Sequence, residues 1–374
     1  MTILQALHLR RSSQWDPPTI LDHLLTSPLK WIMSILYSYI LFLRGRPFHP
    51  PPRPPSSSSS SSSVSGAGVE QQQEKGPIRV VCLSDTHDQT LPVPDGDLLV
   101  HAGDLTQDGS RESIQQQIDW LDGLPHRHKV FVGGNHDGWL DPEARRALLR
   151  ERKSRRQIKL DFKSLRYLEN SSVTLDFKGG RRLNVYGYGA VPECGDDTFA
   201  FQYKRSHDPW KGAIPPETDV LVTHTPPAHH LDLSLGCPGL LSEIWRTKPK
   251  LHIFGHIHWR AGTEPVYFDE CQASYESLMS RPSPASPCYL LGLGPLLNDF
   301  FFFPFVLLSA RSRAAWVDAL AVLWYGINSI LWKWIMQGPH SNNGGLFVNA
   351  AVMHGNTGKL RRGGNEKAVV VVEL

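Results

Sequence analysis

Five short apolar runs in this chain each end at a polar cluster, and their order constrains the fold more than any other feature. The runs are four to six residues long and begin at positions 78, 97, 129, 220 and 251. This is the length of a buried strand. Segments with a helical spacing of apolar residues separate several of the runs, and strands that alternate with helices predict an α/β domain. Open α/β sheets bind ligands at the carboxyl ends of their strands, where the polar clusters stand.

Three helices are predicted among these strands from their start signals. Ser110 can cap a helix whose apolar residues, at positions 114, 118 and 121, share one face. Asp141 followed by Pro142 is typical of the start of a second helix. A third helix is expected over Pro238–Thr247. A further strand is expected over Leu183–Tyr186, and strand character returns at 348–352 and 368–374.

Residues 1–77 are predicted to be a disordered leader and linker. The proline-rich stretch 47–55 is followed by a serine run over 56–63, and such a composition cannot bury enough apolar surface to offset its ordering entropy. An apolar stretch at 31–43, flanked by basic residues, precedes the linker. It is too short to span about 30 Å of hydrocarbon as a helix. Two interpretations stay open: a membrane-surface anchor, or a leader that is either poorly ordered or docked on the domain as a helix.

The domain is predicted to cover residues 78–374, interrupted by an apolar insertion at about 268–340. The stretch 289–310 is very apolar but contains two prolines, and 314–336 is apolar around most of a helix, with Asp318 and Lys333 as its only charges. Three interpretations stay open for this insertion. It is a membrane-dipping helical hairpin, an insertion packed on the domain, or a translated non-coding segment.

Charge and cysteine usage narrow the class of protein. The formal net charge is +3 over 374 residues, which gives no global attraction to nucleic acid, so no specific nucleic-acid partner is expected. The five cysteines are odd in number and none has CxxC spacing. This disfavours a disulfide framework or a zinc knuckle and indicates a reducing, cytoplasmic compartment. Peripheral membrane association through residues 31–43 and 289–336 is compatible with that location, and the oligomeric state stays open.

The polar clusters combine carboxylate, amide and imidazole side chains. This mixture suits Mn, Fe, Zn or similar ions, and the clusters contain no thiolate, which disfavours a structural zinc site. A lone His-x-His or Gly-Asp is usually structural, but five clusters in this order, each after a strand, are a strong signal. The clusters are Asp85-Thr86-His87, Gly103-Asp104, Gly133-Gly134-Asn135-His136-Asp137, Thr223-His224 and Gly255-His256-Ile257-His258.

The series Asp-x-His, Gly-Asp, Gly-Asn-His-Asp, His and Gly-His-x-His resembles the calcineurin-like metallophosphoesterase superfamily. More narrowly, it is similar to the metallophosphoesterase-domain branch related to class III cyclic nucleotide phosphodiesterases, through Asp119–Leu121, Thr223–Pro227 and Pro249–His252. The resemblance covers about residues 78–267 and the last strands. It implies a four-layer α/β/β/α sandwich with two divalent metal ions, joined here to a disordered leader and a hydrophobic helical insertion.

The resemblance also implies a ligand set. By motif, the first ion is held by Asp85, His87 and His258, the second by Asn135, His224 and His256, and Asp104 bridges the two. Some members of this branch have Gly at the position of His256, which weakens the second site, whereas this chain has both ligand sets complete. In the protein phosphatase branch an Asp three residues after the bridging Asp orients the catalytic His. Gln107 stands there in this chain, which disfavours a protein phosphatase.

The predicted function is that of a metallophosphoesterase, a phosphoric ester hydrolase. A water or hydroxide activated by a dinuclear metal centre, with manganese as one candidate metal, would attack a phosphodiester or phosphomonoester. His136 is the candidate catalytic residue, which protonates or hydrogen-bonds the leaving oxygen. Asp137 either orients His136 or caps the following turn. His229 and His230 either line the mouth of the pocket or lie exposed in a loop.

Other functions stay open on the same scaffold. A protein phosphatase or a nuclease would share the fold and the metals, although a nuclease needs a long basic groove with stacking aromatics, and the sequence has one basic helix face. A hypothesis of another class is a metal-binding scaffold without turnover at a membrane. The apolar segments motivate it, and the complete ligand set argues against it. The expected partner is a small phosphate-ester substrate.

Overall fold

The structure, a computed structural model, covers most of the predicted domain and part of the leader. The predicted proline- and serine-rich linker lies outside the described residues, and so does the apolar stretch 289–309 of the insertion. The described residues are 9–45, 76–151, 159–196, 198–281, 310–332, 334–335, 344–355, 357–361 and 368–374.

The first of two central sheets has five strands. In chain order they are β1 (Arg79–Leu83), β2 (Leu98–Ala102), β3 (His128–Val132), β4 (Arg166–Tyr167) and, from the end of the chain, β13 (Val370–Glu373). Their spatial order is β13-β1-β2-β3-β4. β1 to β4 run parallel, and β13 pairs antiparallel with β1.

The second sheet has six strands. They are β5 (Ser171–Asp176), β6 (Arg182–Tyr188), β9 (Val220–Thr223), β10 (Leu251–Phe254), β11 (Gly262–Val266) and β12 (Gly345–Asn349). The order is β11-β12-β10-β9-β6-β5, with parallel pairing inside and antiparallel pairing at both edges. A separate parallel pair joins β7 (Val191–Pro192) to β8 (Gln202–Tyr203). The predicted strands near the end of the chain thus return to both sheets.

Helices cover the outer faces of the two sheets. Ile114 and Ile118 of α3 (Arg111–Asp122) pack on the first sheet, and the predicted cap Ser110 accepts a hydrogen bond from the Ser113 backbone N–H. α4 (Pro142–Glu151) follows β3, and α5 (Pro238–Thr247) packs on the second sheet. The inner faces of the sheets meet in one apolar core. The predicted α/β/β/α sandwich is therefore confirmed.

Four further helices form or flank a layer outside the sandwich. They are α1 (Ile20–Thr26), α2 (Pro28–Arg44), α6 (Glu270–Ser280) and α7 (Ala310–Trp332). Tyr37 of α2 stacks on Tyr275 of α6 with ring centroids 3.9 Å apart, and the Lys30 ammonium donates to the Met279 carbonyl at 2.9 Å. The apolar stretch 31–43 is thus a docked helix, and the described part of the insertion packs on it. We call α2, α6 and α7 the outer layer.

The outer layer is apolar on both of its sides. Residues 313–332 form a helix that is long and apolar enough to cross a membrane. α1 and α2 together also have the length and apolarity to cross one, although the chain bends by 119° between them. α2 and α7 approach each other closely at Gly326, where a Cβ atom would lie 2.5 Å from Ile40 Cδ1. The inward faces of these helices are buried among themselves and on α6, and their outward faces remain open.

Candidate metal centre

The seven predicted ligands and His136 lie together where β1, β2, β3, β9 and β10 end. Because parallel strands end at the same edge of a sheet, residues up to 173 positions apart become neighbours here. Five side chains are buried: Asp85, His87, Asp104, Asn135 and His224. Three are half-buried and form what we call the mouth of the site: His136, His256 and His258.

Asp85, His87 and His258 form one group of potential ligands. The Nε2 atom of His258 lies 3.1 Å from Asp85 Oδ1 and 3.4 Å from Nε2 of His87. The ligand atoms of all three lie within 4.8 Å of one another. The structure therefore brings together the residues predicted for the first ion, and their role as ligands stays a prediction.

Asp104, His224 and His256 form a second group under the same limit of 4.8 Å. His224 Nε2 lies 3.3 Å from Asp104 Oδ2 and 3.0 Å from Asn135 Oδ1. The backbone N–H of His256 donates to both carboxylate oxygens of Asp85 at 3.0 Å, which links this group to the first.

Asp104 also belongs to a third group, with His87 and His136. Its Oδ2 lies 3.8 Å from His87 Nε2, and its Oδ1 accepts the backbone N–H of His136 at 2.8 Å. Among the groups found in the described residues, Asp104 is thus in contact with both predicted ion sites. This is the position that a bridging carboxylate requires.

The hydrogen bonds around His224 test whether the residues fit a cation. Its Nδ1 lies 2.8 Å from the Ala102 carbonyl, and because a carbonyl only accepts, Nδ1 carries the hydrogen. In the neutral ring Nε2 then presents a lone pair to Asp104 and Asn135, whose facing oxygens are acceptors as well. Converging lone pairs repel unless a cation or a proton lies between them, so the donor set fits a divalent ion.

His258 shows the same arrangement on the first group. Its Nδ1 lies 2.9 Å from the Gly355 carbonyl, which directs Nε2 toward Asp85 and His87. A backbone carbonyl that fixes the tautomer of an imidazole is a usual outer partner of a metal-binding histidine. Gly355 lies beyond the insertion, so the last part of the chain helps to complete the site.

The charges of the site support each other. Burial raises the pKa of Asp104, but the neighbouring charges of His224 and His136 and the His224 hydrogen bond outweigh it and hold that pKa well below its usual range. Burial lowers the pKa of His224, yet Asp104 and Asp85 raise it to about 9. Burial and the charge of His224 lower the pKa of His256 to about 3. A bound cation would therefore replace the proton of His224.

The chain turns sharply at each strand end to aim these side chains inward. Asp85, His87, Asp104 and His256 all have φ between 44° and 67°, a left-handed conformation that costs free energy for residues with a Cβ atom. Position 134 has room only for glycine, because a Cβ atom there would collide with the carboxylate of Asp104. Several strained ligand positions in one place are typical of a functional site.

Asp137 holds two loops of the site together. Its Oδ1 accepts the Thr106 backbone N–H at 3.0 Å, and its Oδ2 accepts the N–H groups of Leu105 and Gly134. The side chain of His136 instead bonds the Gln107 carbonyl, at 3.1 Å from Nδ1. The bonds that the structure gives the Asp137 side chain thus match neither of the two roles considered, because they go to the loops after β2 and β3 and neither to His136 nor to the following turn.

His230 is neither exposed nor part of the mouth. It is fully buried, with Nδ1 2.8 Å from Glu264 and Nε2 2.9 Å from Glu276 of α6. Burial lowers its pKa, but the two carboxylates raise it to about 10. The expectation for this residue was wrong because its partners come from β11 and α6, which no local pattern connects to it. His230 thereby ties the loop after β9 to the outer layer.

Two aromatic side chains at the mouth were missed from the sequence. Trp15, in the segment before α1, places its ring at 87° to that of His256, with centroids 5.3 Å apart. Phe199, between β7 and β8, lies against His136 with centroids 4.9 Å apart. Neither residue belongs to a motif, so only the tertiary structure reveals them.

Comparison with known proteins identifies the same part of the chain. Residues 78–260 match the family described as calcineurin-like phosphoesterase. UPF0046 protein C25E10.12 of Caenorhabditis elegans is 34% identical over 205 residues, which are 50% of this chain and 70% of that protein. Human metallophosphoesterase domain-containing protein 1 is 33% identical over 207 residues, which are 49% of this chain and 61% of that protein.

A relative with a different name is more similar in sequence over a comparable stretch. Probable rhamnogalacturonate lyase C of Emericella nidulans is 46% identical over 209 residues, which are 55% of this chain. The match spans only 19% of that protein, so most of that protein lies outside the match. All three matched stretches cover about half of this chain.

Proposed function

The chain belongs to the calcineurin-like phosphoesterase family, and on that premise we propose that it hydrolyses a phosphate ester with two divalent cations. One observation carries the proposal. Three groups of potential ligand atoms, each within 4.8 Å, overlap through Asp104 and His87. Overlapping groups of this kind suit two ions that share a carboxylate. Mn, Fe and Zn are the cations that the imidazole and oxygen donors favour.

The chemistry divides between the cations and the chain. Two bound divalent cations would polarise the phosphate oxygens and lower the pKa of a water. Asn135 would contribute a neutral oxygen, so the pocket does not accumulate a third carboxylate against an anionic substrate. His136 stands at the mouth with Nδ1 held by the Gln107 carbonyl, which leaves Nε2 to donate a proton to the leaving oxygen.

The surroundings of His136 favour a small phosphate ester over a phosphoprotein. In the protein phosphatase branch a carboxylate orients this histidine, whereas here the backbone carbonyl of Gln107 does so. A carbonyl fixes the ring but, unlike a carboxylate, carries no full negative charge. The candidate proton donor of this chain is therefore oriented by a backbone carbonyl, and that of the protein phosphatase branch by a carboxylate.

Hydrolysis of two model substrates tests the proposal. The full-length protein, supplied with Mn²⁺, is expected to hydrolyse bis-p-nitrophenyl phosphate, p-nitrophenyl phosphate or both. Activity on the diester indicates a phosphodiesterase, and activity on the monoester alone indicates a phosphomonoesterase. Elemental analysis that finds bound metal in a protein without activity on either substrate would contradict the proposal and favour a scaffold.

We further propose that the outer layer attaches the enzyme to an anionic membrane surface. All but two of the large apolar side chains that the described residues expose lie on α2, on α7 or directly after α7. Monomeric soluble domains rarely expose such a concentrated apolar face. The exposed residues on α2, on α7 and directly after α7 are Ile35, Tyr39, Phe42, Val317, Leu320, Trp324, Tyr325, Ile327, Leu331, Trp332, Trp334 and Ile335.

Ring chemistry and charge favour lipid over a second copy of the chain. Three of these side chains are Trp, and with Tyr325 they make four aromatic rings on or directly after α7. Trp and Tyr prefer the boundary between membrane and water. Arg313 is exposed at the start of α7. A positive charge beside the apolar face attracts anionic lipid, whereas two copies face to face would bring like charges together.

The contacts of Asp318 support an arrangement in which α7 lies along the membrane surface and does not cross it. Its carboxylate accepts hydrogen bonds from Ser277 Oγ at 2.9 Å and Arg281 Nε at 2.6 Å. These contacts hold one face of α7 against α6. A helix fixed to a folded domain along one face presents only the other face to lipid, as interfacial helices do.

Vesicle flotation tests this attachment. The full-length protein is expected to float with vesicles of phosphatidylcholine and phosphatidylserine, and less with phosphatidylcholine alone. Trp324→Glu should lower the bound fraction about tenfold, because one buried aromatic side chain is lost from lipid. Ile20→Glu is the matched control, since Ile20 is 65% exposed and Trp324 67%. Unchanged flotation of Trp324→Glu, or a dimer that this substitution dissociates, would contradict the proposal.

A further inference from the structure

We propose that Trp15 and Phe199 form a subsite for a flat, aromatic leaving group of the phosphate ester. This inference rests on the proposed function, since it concerns the organic part of the same substrate. Trp15 reaches the mouth from the segment before α1, outside the residues 78–260 that match the family. The segment would therefore be part of the substrate pocket.

The depth of the site decides which part of a substrate meets these rings. The carboxylates, Asn135 and His224 are buried, whereas His136, His256 and His258 stand half-exposed at the mouth. A phosphate drawn to cations among the buried groups must leave its organic group at the mouth. Phe199 lies against His136, the candidate donor to the leaving oxygen, and Trp15 lies against His256.

Trp15 is held in place by its own segment. The Trp15 backbone N–H donates to Ser13 Oγ at 3.2 Å, and the Ser13 N–H donates to Asp16 Oδ2 at 3.1 Å. The buried carboxylate of Asp22 accepts the Arg11 N–H at 2.9 Å and pairs with the Arg10 guanidinium at 2.9 Å. These bonds close the segment into a compact loop on α1 and hold the backbone from which the indole reaches the mouth.

The chemistry of the two walls sets the ligand class. Trp15 is half-buried, so part of its indole remains open beside the mouth. Aromatic side chains attract other rings through stacked or edge-to-face contacts, beyond what the buried area contributes. Bases of all kinds stack on such rings because each has a π-face. A phenolic or nucleoside ester therefore fits these walls better than an alkyl ester of the same charge.

Binding of two phosphonates tests the subsite without turnover. Phenylphosphonate and methylphosphonate share the anionic head, and calorimetry on the full-length protein with Mn²⁺ measures both. The wild type is expected to prefer phenylphosphonate about 5- to 10-fold. Trp15→Ala should remove most of this preference, and Trp15→Phe should keep it. With bis-p-nitrophenyl phosphate, Trp15→Ala should raise KM and leave kcat unchanged, as expected for lost uniform binding.

Trp31→Ala is the matched control. Trp31 belongs to the same helical unit and stacks on His23 at 5.7 Å, so it reports damage to the unit without change at the mouth. An equal loss of preference in Trp31→Ala, or an unchanged preference in Trp15→Ala, would overturn the subsite. A wild type that hydrolyses the diester yet binds both phosphonates equally overturns the subsite alone. A wild type with neither activity nor phosphonate binding overturns the proposed function as well.

Discussion

Replacing His136 with alanine is expected to lower kcat by about 10²- to 10⁴-fold, the usual contribution of a positioned proton donor. The reason is the placement of the ring, with Nδ1 bonded to the Gln107 carbonyl and the ring at the mouth beside Phe199. The loss should depend on the leaving group. It should be larger for phenyl phosphate than for p-nitrophenyl phosphate, because p-nitrophenolate is the weaker base and needs less protonation. Steady-state kinetics on both esters measures this difference.

Metal content separates this role from a second possibility. A nitrogen of His136 lies within 4.8 Å of ligand atoms of His87 and Asp104, so His136 is also placed as a ligand. If it is the proton donor, His136→Ala retains the metal content of the wild type. A fall in metal content together with kcat, or equal losses on both esters, would contradict proton donation. His207→Ala removes an exposed histidine and controls for changes in imidazole number.

The parts of the fold that the sequence predicts are those specified locally. β9, β10 and α5 have the predicted bounds. β9 and β10 are short apolar runs that end at polar residues, and α5 begins at a proline and has apolar residues at helical spacing. β5 was not predicted, although its burial alternates along the strand. Only Leu175 of its six residues is buried, and two apolar residues, Val173 and Leu175, give too short an alternation to identify a strand from sequence. β11 contains Gly262 and Pro265, which indicate a turn in sequence but are tolerated at the edge of a sheet.

The candidate site likewise has residues that the sequence predicts and residues that only the structure reveals. Its ligand positions follow strand ends within one to four residues, so each motif carries its own location. The contacts of Trp15 with His256 and of His230 with Glu276 join elements that have no motif in common. Their energies depend on packing between distant segments, and a single sequence contains no local signal for that. The sequence also left the interpretation of the apolar segments in the outer layer undecided, because apolar helices suit a protein core and a membrane equally.

Replacing Asp104 with asparagine is expected to cost the protein both ions. Asp104 is in contact with ligands of each predicted site, at 3.3 Å from His224 and 3.8 Å from His87. The amide removes one negative charge from the position between the sites and weakens each by more than the 10- to 100-fold that loss of an outer partner costs. Elemental analysis should find two ions per chain in the wild type and close to none in Asp104→Asn, with activity lost in parallel.

Asp85→Asn is the matched substitution, because it removes the same charge from a residue grouped with His87 and His258 alone. It should lose one ion and keep the other. The difference between the two variants isolates the bridging position from the general effect of removing a buried carboxylate. Circular dichroism must show both variants folded, since Asp104 Oδ1 also accepts the His136 N–H. If folded Asp104→Asn and Asp85→Asn lose the same single ion, Asp104 serves one site, and the two ions do not share a carboxylate.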